Sequence, residues 1–192
     1  MIVPKLNSIM QIHMIGNGAS NKLFQSPYGF KIMCNIPKLP VPADVISIID
    51  QKVLLYQQQE KFQFKHNQVI WCTPQIQQVA EKKQLLGDWQ PVYQHQHRYN
   101  SGHLAVQHAC RTSPNLKIVH LWGMDSMFSS DLTSQMDDRV KRPQRPPLNR
   151  EWRPNWKTVF AQFLQIQFLI HIHTPIEDYN YGQNVKKIIH QD

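Results

Sequence analysis

Three features of this 192-residue sequence predict an α/β domain built on a mostly parallel sheet of five to six strands. Short β-branched or aromatic runs alternate with stretches of helical periodicity, the pattern of repeated βαβ units. The strand runs are largely apolar rather than alternating, as expected of strands covered on both faces. A glycine-bearing loop, Gly16-Asn17-Gly18-Ala19-Ser20, follows the first run at once. With a hydrophobic fraction of 41%, the chain can bury one core, so a single domain over 1–192 is expected, a Rossmann-like three-layer sandwich.

The elements read in order as follows. Strand runs fall at 11–15, 30–34, 44–49, 68–72, 117–122 and 166–173. Helical patterns fall at 51–59, 74–86, 101–112 and 152–164. Thr73-Pro74 suits a helix start, and Ser101 is the expected cap of the third helix. Trp156, Val159, Phe160, Phe163 and Leu164 form one apolar stripe on the fourth. Gly87 suits the left-handed residue that closes the second helix. The polar, aromatic stretch 87–100 reads as a loop. Residues 127–150 read as a long basic lid, since structureless stretches of that length are usually lids, binding loops or disordered. Residues 176–192 read as a C-terminal tail.

Charge and cysteine content narrow the surroundings. The formal net charge of +8 favours an anionic partner. Cys34, Cys72 and Cys110 have neither disulfide nor zinc spacing and are expected to be buried thiols in a reducing compartment. No stretch approaches the roughly 20 apolar residues of a membrane span. No apolar leader follows Lys5, so a cytoplasmic protein with no membrane partner is expected.

The glycine loop is the first candidate for chemistry. Glycine after a strand permits positive φ and close approach of a ligand to the backbone. Free amides at a helix start attract phosphate or carboxylate. Asn17 and Ser20 add side-chain hydrogen-bonding groups, but position 21 is Asn, so the dinucleotide pattern G-x-G-x-x-G is not met. A plain tight turn accounts for the loop as well. Position strengthens the ligand reading, because ligands of open α/β sheets sit beyond the carboxyl ends of the strands. Asn35 follows the second run, Asp50 the third and Gly123-Met124-Asp125 the fifth, while Ser101-Gly102 opens a helix. If those strands are neighbours, the groups share one cleft.

The order GNGAS, Cys34-Asn35, Ala43-Asp44-Val45 running to Asp50, Ser101-Gly102 and Gly123-Met124-Asp125 resembles the small bacterial sialyltransferases of the Campylobacter type, over residues 10–126. The same layout resembles the related 6-hydroxymethylpterin diphosphokinase-like proteins. The first resemblance implies a nucleotide-binding, glycosyltransferase-like protein that uses a nucleotide-activated sugar donor, in a pocket for a cytidine nucleotide. It implies Gly16, Asn17, Gly18 and Ser20 along the donor phosphate and sugar, Asn35 at the pocket floor, Ser101 and Gly102 near the nucleotide, and Asp125 at the strand end. Ala19 stands where that family has proline, the stretch 147–154 carries no histidine where the family places its base, and the lid carries no tyrosine. Glu151 offers a carboxylate there, and His103 and Asp125 are the other candidate acid–base groups. No cofactor is required by this reading. The diphosphokinase-like alternative calls for Mg²⁺, with Asp50 and Asp125 as its ligands.

The basic segment supplies a third reading. Arg142, Arg145, Arg150 and Arg153 crowd around Trp152 and Trp156. Arginines there neutralise a leaving phosphate, or, with the indoles, bind nucleic acid without catalysis. A solvated loop with tryptophans docked on the core is the plain alternative. His171 and His173, two apart on a strand, share a face but make an incomplete metal site, so a structural role is expected of them. A homo-oligomer is compatible with the sequence.

Overall fold

A computed structural model describes residues 6–26, 28–35, 39, 41–59, 64–92, 99–125, 148–173 and 179–191, without the side chains of 56–59 and 148–151. One open sheet of eight strands, all pairs parallel, runs through the molecule in the order β5-β4-β3-β2-β1-β6-β7-β8. The strands are β1 (Gln11–Ile15), β2 (Phe30–Cys34), β3 (Val45–Ile48), β4 (Val69–Cys72), β5 (Asp88–Pro91), β6 (Ile118–Trp122), β7 (Gln167–Ile172) and β8 (Val185–Ile189). Helices α1 (Gln51–Gln59), α2 (Pro74–Lys82), α3 (Ser101–Thr112) and α4 (Leu148–Ala161) connect them, and a 3-10 helix, Ala19–Leu23, follows β1. The fold is α/β and Rossmann-like. Among the described residues, no helix is long and apolar enough to cross a membrane.

The strand period of two sorts the core into layers. Ile12, Met14, Ile32, Val45, Val119, Leu121, Phe168 and Ile170 meet Leu104, Ala105, Trp156 and Phe160 of α3 and α4 on one face. Ile46, Ile48, Ile70 and Cys72 meet Val53 and Leu54 of α1 and Ile76 of α2 on the other. This double covering is why the inner strands read as continuous apolar runs. All three cysteines are free and buried.

Six strands and four helices lie where the sequence places them, within a few residues at the ends. The sheet has two more strands than expected, and both are its edges. Within the expected loop 87–100, Asp88–Pro91 pairs with β4. Three of its four residues are exposed, and an edge tolerates Pro91, which has no N–H to give. Within the expected tail 176–192, Val185–Ile189 pairs with β7. Lys186 and Lys187 break its apolar pattern, as charges on edge strands commonly do. Asn184 secures its start, donating from Nδ2 to the carbonyls of Phe160, Phe163 and Ile166 at 3.0–3.2 Å.

Two local expectations change. The left-handed residue after α2 is Gln84 (φ 52), whereas Gly87 (φ 130) shapes the entry to β5. A side chain at Gly87 would overlap Ile70. Helix α4 begins at Leu148 rather than 152 and runs through Pro154. Of the expected lid, residues 127–147 lie outside the described residues.

Ending the chain after residue 184 should therefore uncover one side of β7, and urea unfolding should report a markedly lower midpoint than for the full chain. An unchanged midpoint would return 185–189 to the status of a tail.

Candidate functional site

The strand order reverses between β1 and β6, so the loops leaving these two strands open a crevice at the carboxyl edge. Its walls are Gly16, Asn17 and Gly18 after β1, Cys34 and Asn35 after β2, Asn100, Ser101 and Gly102 at the start of α3, Gly123 and Met124 after β6, and Trp152 of α4. The cavity holds about 90 Å³. That is room for a phosphate or a small polar group, whereas whole small-molecule sites run to about 300–1,000 Å³. A larger hollow of about 630 Å³ opens at the opposite end of the sheet, between Met10, Gly29, Asp44 and Lys117. It lies away from the helix N-terminus and the strand-end groups, so site chemistry points to the smaller crevice.

A knot of hydrogen bonds joins the two loops. Gly18 donates to the Gly123 carbonyl at 2.8 Å. The Ser20 amide and hydroxyl both donate to Asp125 Oδ2 at 3.0 Å, and the Gly123 amide donates to Ser20 Oγ at 3.0 Å. Asn21 Nδ2 closes the knot on the Gly16 carbonyl at 3.2 Å. The loop glycines serve this approach. Neither Gly16 nor Gly18 has positive φ. A Cβ at Gly16 would overlap the Gly123 carbonyl, and one at Gly18 would overlap the Asp125 carboxylate. Gly123 does require the left-handed region, at φ 65.

The far wall is set from the sheet. Asn35 leaves β2 at φ 59, a conformation few residues other than glycine adopt, and its amide donates to the Ser47 carbonyl at 2.9 Å. Asn35 Oδ1 accepts from Ser101 Oγ at 3.0 Å, and Ser47 Oγ donates to the Ser101 carbonyl at 2.8 Å. Asn17 Nδ2 donates to the Cys34 carbonyl at 3.1 Å. These bonds hold the first residues of α3 against the ends of β2 and β3. The cap of α3 is Asn100 rather than Ser101. Its Oδ1 accepts from the His103 amide while His103 Nδ1 accepts from the Asn100 amide, each at 3.0 Å. Among the described residues the amides of Ser101 and Gly102 have no acceptor, and both residues line the crevice at the positive end of the helix dipole.

Six expected site residues thus share the walls, Gly16, Asn17, Gly18, Asn35, Ser101 and Gly102, while Ser20 lies behind them in the knot. The others stand apart. Asp125 is buried and its Oδ2 holds Ser20, so it acts as a tie between loops. Asp50 faces a separate hollow with Gln51 and Lys52, where its carboxylate accepts from the Lys52 amide at 2.9 Å. It is therefore not paired with Asp125 as a cation site. His103 is fully buried between Tyr99 and Trp156. Burial pushes its imidazole down to about 3, which suits a neutral capping group better than an acid. Arg153 lies 5.6 Å from the ring centre of Tyr179. Arg150 and Glu151 fall in the first turn of α4, with side chains outside the described residues, and Arg142 and Arg145 lie outside them altogether. Trp152 borders the crevice, but Trp156 is a core residue.

Sequence reasoning did not single out Cys34, Asn100, Gly123, Met124 and Trp152 as walls. Asn100 carried a signal, an Asn immediately before a helical pattern. The lining holds no charged side chain among the described residues. Its one thiol, Cys34, is pushed up to about 12 by burial and stays protonated at neutral pH. Among the described residues, no group of three or more His, Cys, Asp or Glu is placed to hold a metal ion.

Fold and site together define a Rossmann-like α/β protein with a neutral, amide-rich crevice at the switch point of its sheet. Compared with known protein families, characterised proteins and solved structures, the chain matches none of them.

Two outcomes follow from the site. Gly18→Ala should cost about 1–3 kcal/mol in urea unfolding, because overpacking here strains the knot. His103 stays neutral in the fold, so it stabilises above its unfolded value of about 6.5. That contribution drains as pH falls towards about 3. From pH 7 to 5 the loss is about 2 kcal/mol. His103→Gln keeps the capping partner and should flatten the pH dependence by that amount; an unchanged slope would place the titration elsewhere.

Proposed function

We propose that the protein binds a nucleotide-type ligand at the switch-point crevice and uses it as an activated donor in a glycosyltransferase-like transfer. One observation carries the binding step. The open amides of Ser101 and Gly102, the left-handed Asn35 and the Gly16–Gly18 loop converge on one small cavity beyond the carboxyl ends of β1, β2 and β6. A cavity of about 90 Å³ fits one phosphate, with the rest of the ligand extending past Trp152. Helix-start amides stabilise a phosphate without a paired cation. The transfer step is supported by the order of motifs along the chain, which resembles that of nucleotide-sugar transferases. The described walls bind and orient; among them there is no general base.

The diphosphokinase-like alternative is weaker on these observations, since Asp50 and Asp125 do not meet. Nucleic-acid binding through the basic segment loses one of its two stacking groups, because Trp156 is fully buried.

Thermal melts against cytidine, uridine, guanosine and adenosine nucleotides, with and without Mg²⁺, test the reading. A ligand at about 100 times its Kd stabilises by about 2.7 kcal/mol, a rise on the order of 5–10 °C for a domain of this size. The expected result is a metal-independent shift with one base, reduced at least by half in Asn35→Gly, which keeps the left-handed backbone and removes the amide. A flat panel, with a shift only on adding an oligonucleotide, would sink the proposal.

A further inference from the structure

Four histidines form a diagonal row on the sheet face opposite α3 and α4, crossing β1, β6, β7 and the end of β8. His13 stacks on His120 with ring centres 4.7 Å apart. His120 Nδ1 lies 3.0 Å from His171 Nε2, and His171 Nδ1 lies 2.8 Å from His190 Nε2. Trp122 lies against the row. Its indole is parallel to His171 at 3.5 Å, and its Nε1–H donates to His13 Nδ1 at 3.2 Å. The next residue in the chain is Gly123, a wall of the crevice.

The row is not built as a metal site: each close contact joins only two ring nitrogens, 2.8–3.0 Å apart, the two nitrogens of His171 face different partners, and among the described residues no group of three or more His, Cys, Asp or Glu is placed to hold a metal ion. His120, His171 and His190 have the contacts of a hydrogen-bonded chain of rings, and His13 stacks on the end of that chain. Tautomers follow from the donors. Trp122 has only an N–H to give, so neutral His13 accepts at Nδ1 and carries its proton on Nε2. That Nε2 is buried against Gly29 and has no hydrogen-bond partner among the described residues.

We propose that the Trp122–His13 hydrogen bond is a proton-operated latch beside the β6 turn: singly protonated His13 holds the Trp122 indole next to Gly123, and a second proton, taken from solvent onto Nδ1, turns the acceptor into a donor, frees the indole and shifts the turn that the Ser20 and Gly18 bonds continue to hold. Two N–H groups then face each other across the 3.2 Å contact, and the bond must open. His13 is boxed in by Phe24, His120 and Trp122, which exclude water from its charged form.

Burial, and then the neighbouring groups, keep the latch closed at neutral pH. Burial, then His120, then Lys31 of β2 push His13 down to about 4. Burial and the neighbouring histidines push His171 down to about 3. Lys22 on the 3-10 helix and Lys186 on β8 add exposed positive charge. The carboxylates at the margins are engaged, Asp44 by the Lys31 amide and Asp125 by Ser20. A raised proton concentration therefore opens the latch as the pH falls towards 4.

The consequence for ligand binding rests on the nucleotide reading of the crevice, but the latch is testable without a ligand. The probe is the Trp122 indole N–H resonance, assigned with Trp122→Phe, followed with the Gly123 and Gly18 amides from pH 7.5 to 3.5. The expected result is a joint shift with one midpoint, above the pH at which circular dichroism reports unfolding. His13→Gln retains an acceptor that does not titrate and should abolish the shift. Lys31→Met removes a cation that opposes protonation of His13 and should raise the midpoint by at least about half a pH unit. The latch is overturned if the shift persists in His13→Gln, if the midpoint is unmoved in Lys31→Met, if Gly123 stays still while the indole moves, or if the shift coincides with unfolding. Failure of every nucleotide to bind at pH 7.5 would instead remove the crevice reading and leave this result standing.

Discussion

The bonds that Ser20 makes to Asp125 and Gly123 are the constraint on which the crevice depends. A parallel sheet gives two neighbouring strands no direct connection at their carboxyl ends, and at the switch point the chain leaves β1 and β6 for elements far apart. The ends would splay unless something ties them. A single buried carboxylate does so by accepting from both the amide and the hydroxyl of Ser20, whose oxygen then accepts from Gly123. A charge buried this way is tolerable because its bonds are charge-assisted and short-range, and removing one partner would leave the other unsatisfied. The glycines follow from the tie: the backbones approach so closely that Gly16, Gly18 and Gly123 have no space for a side chain.

This changes what a glycine-rich strand-end loop means here. In sequence, Gly16-Asn17-Gly18 reads as room for a ligand, yet two of its amides are already committed, to the Trp122 and Gly123 carbonyls. The open donors come from the α3 start instead. Among the described residues the amides of Ser101 and Gly102, at the first two positions of the helix, have no acceptor, since the Asn100 side chain is committed to the His103 amide. The first loop shapes the crevice, and the helix gives it its polarity.

The inner sheet was legible because burial on both faces writes itself as apolar runs, and the helices because their stripes match a 3.6-residue period. The edges were not. Asp88-Trp89-Gln90-Pro91 and Val185-Lys186-Lys187-Ile188-Ile189 need only one partner strand and little burial, so their composition carries the protection of an edge rather than the signature of a strand. The site was partly legible for a related reason. Polar residues after strands mark the carboxyl edge whatever the strand order, so Asn35, Ser101 and the glycine loop could be grouped. Which of them meet depends on that order. With β3 two strands from β1, Asp50 falls outside the group. Nor does spacing reveal whether an aspartate faces a ligand or, like Asp125, another loop.

The histidine row shows the limit of such reading most clearly. His13, His120, His171 and His190 are spread along nearly the whole chain, and only the register of four adjacent strands brings them together. His13 pairs directly with His120, but His120 is opposite Leu169 and His171 is opposite Ile188, so the next contacts are diagonal, two residues further along each strand. A slip of one residue in any pair would turn a ring to the opposite face. The row therefore depends on β8, an edge strand without which His190 has no fixed position. Neutral imidazoles in line impose a further condition, because each can donate at only one nitrogen and accept at the other. The same rule governs His13, whose one accepting nitrogen is taken by the Trp122 N–H, so an added proton there removes the acceptor. Through Trp122 the row also couples the sheet edge to the turn that forms the crevice.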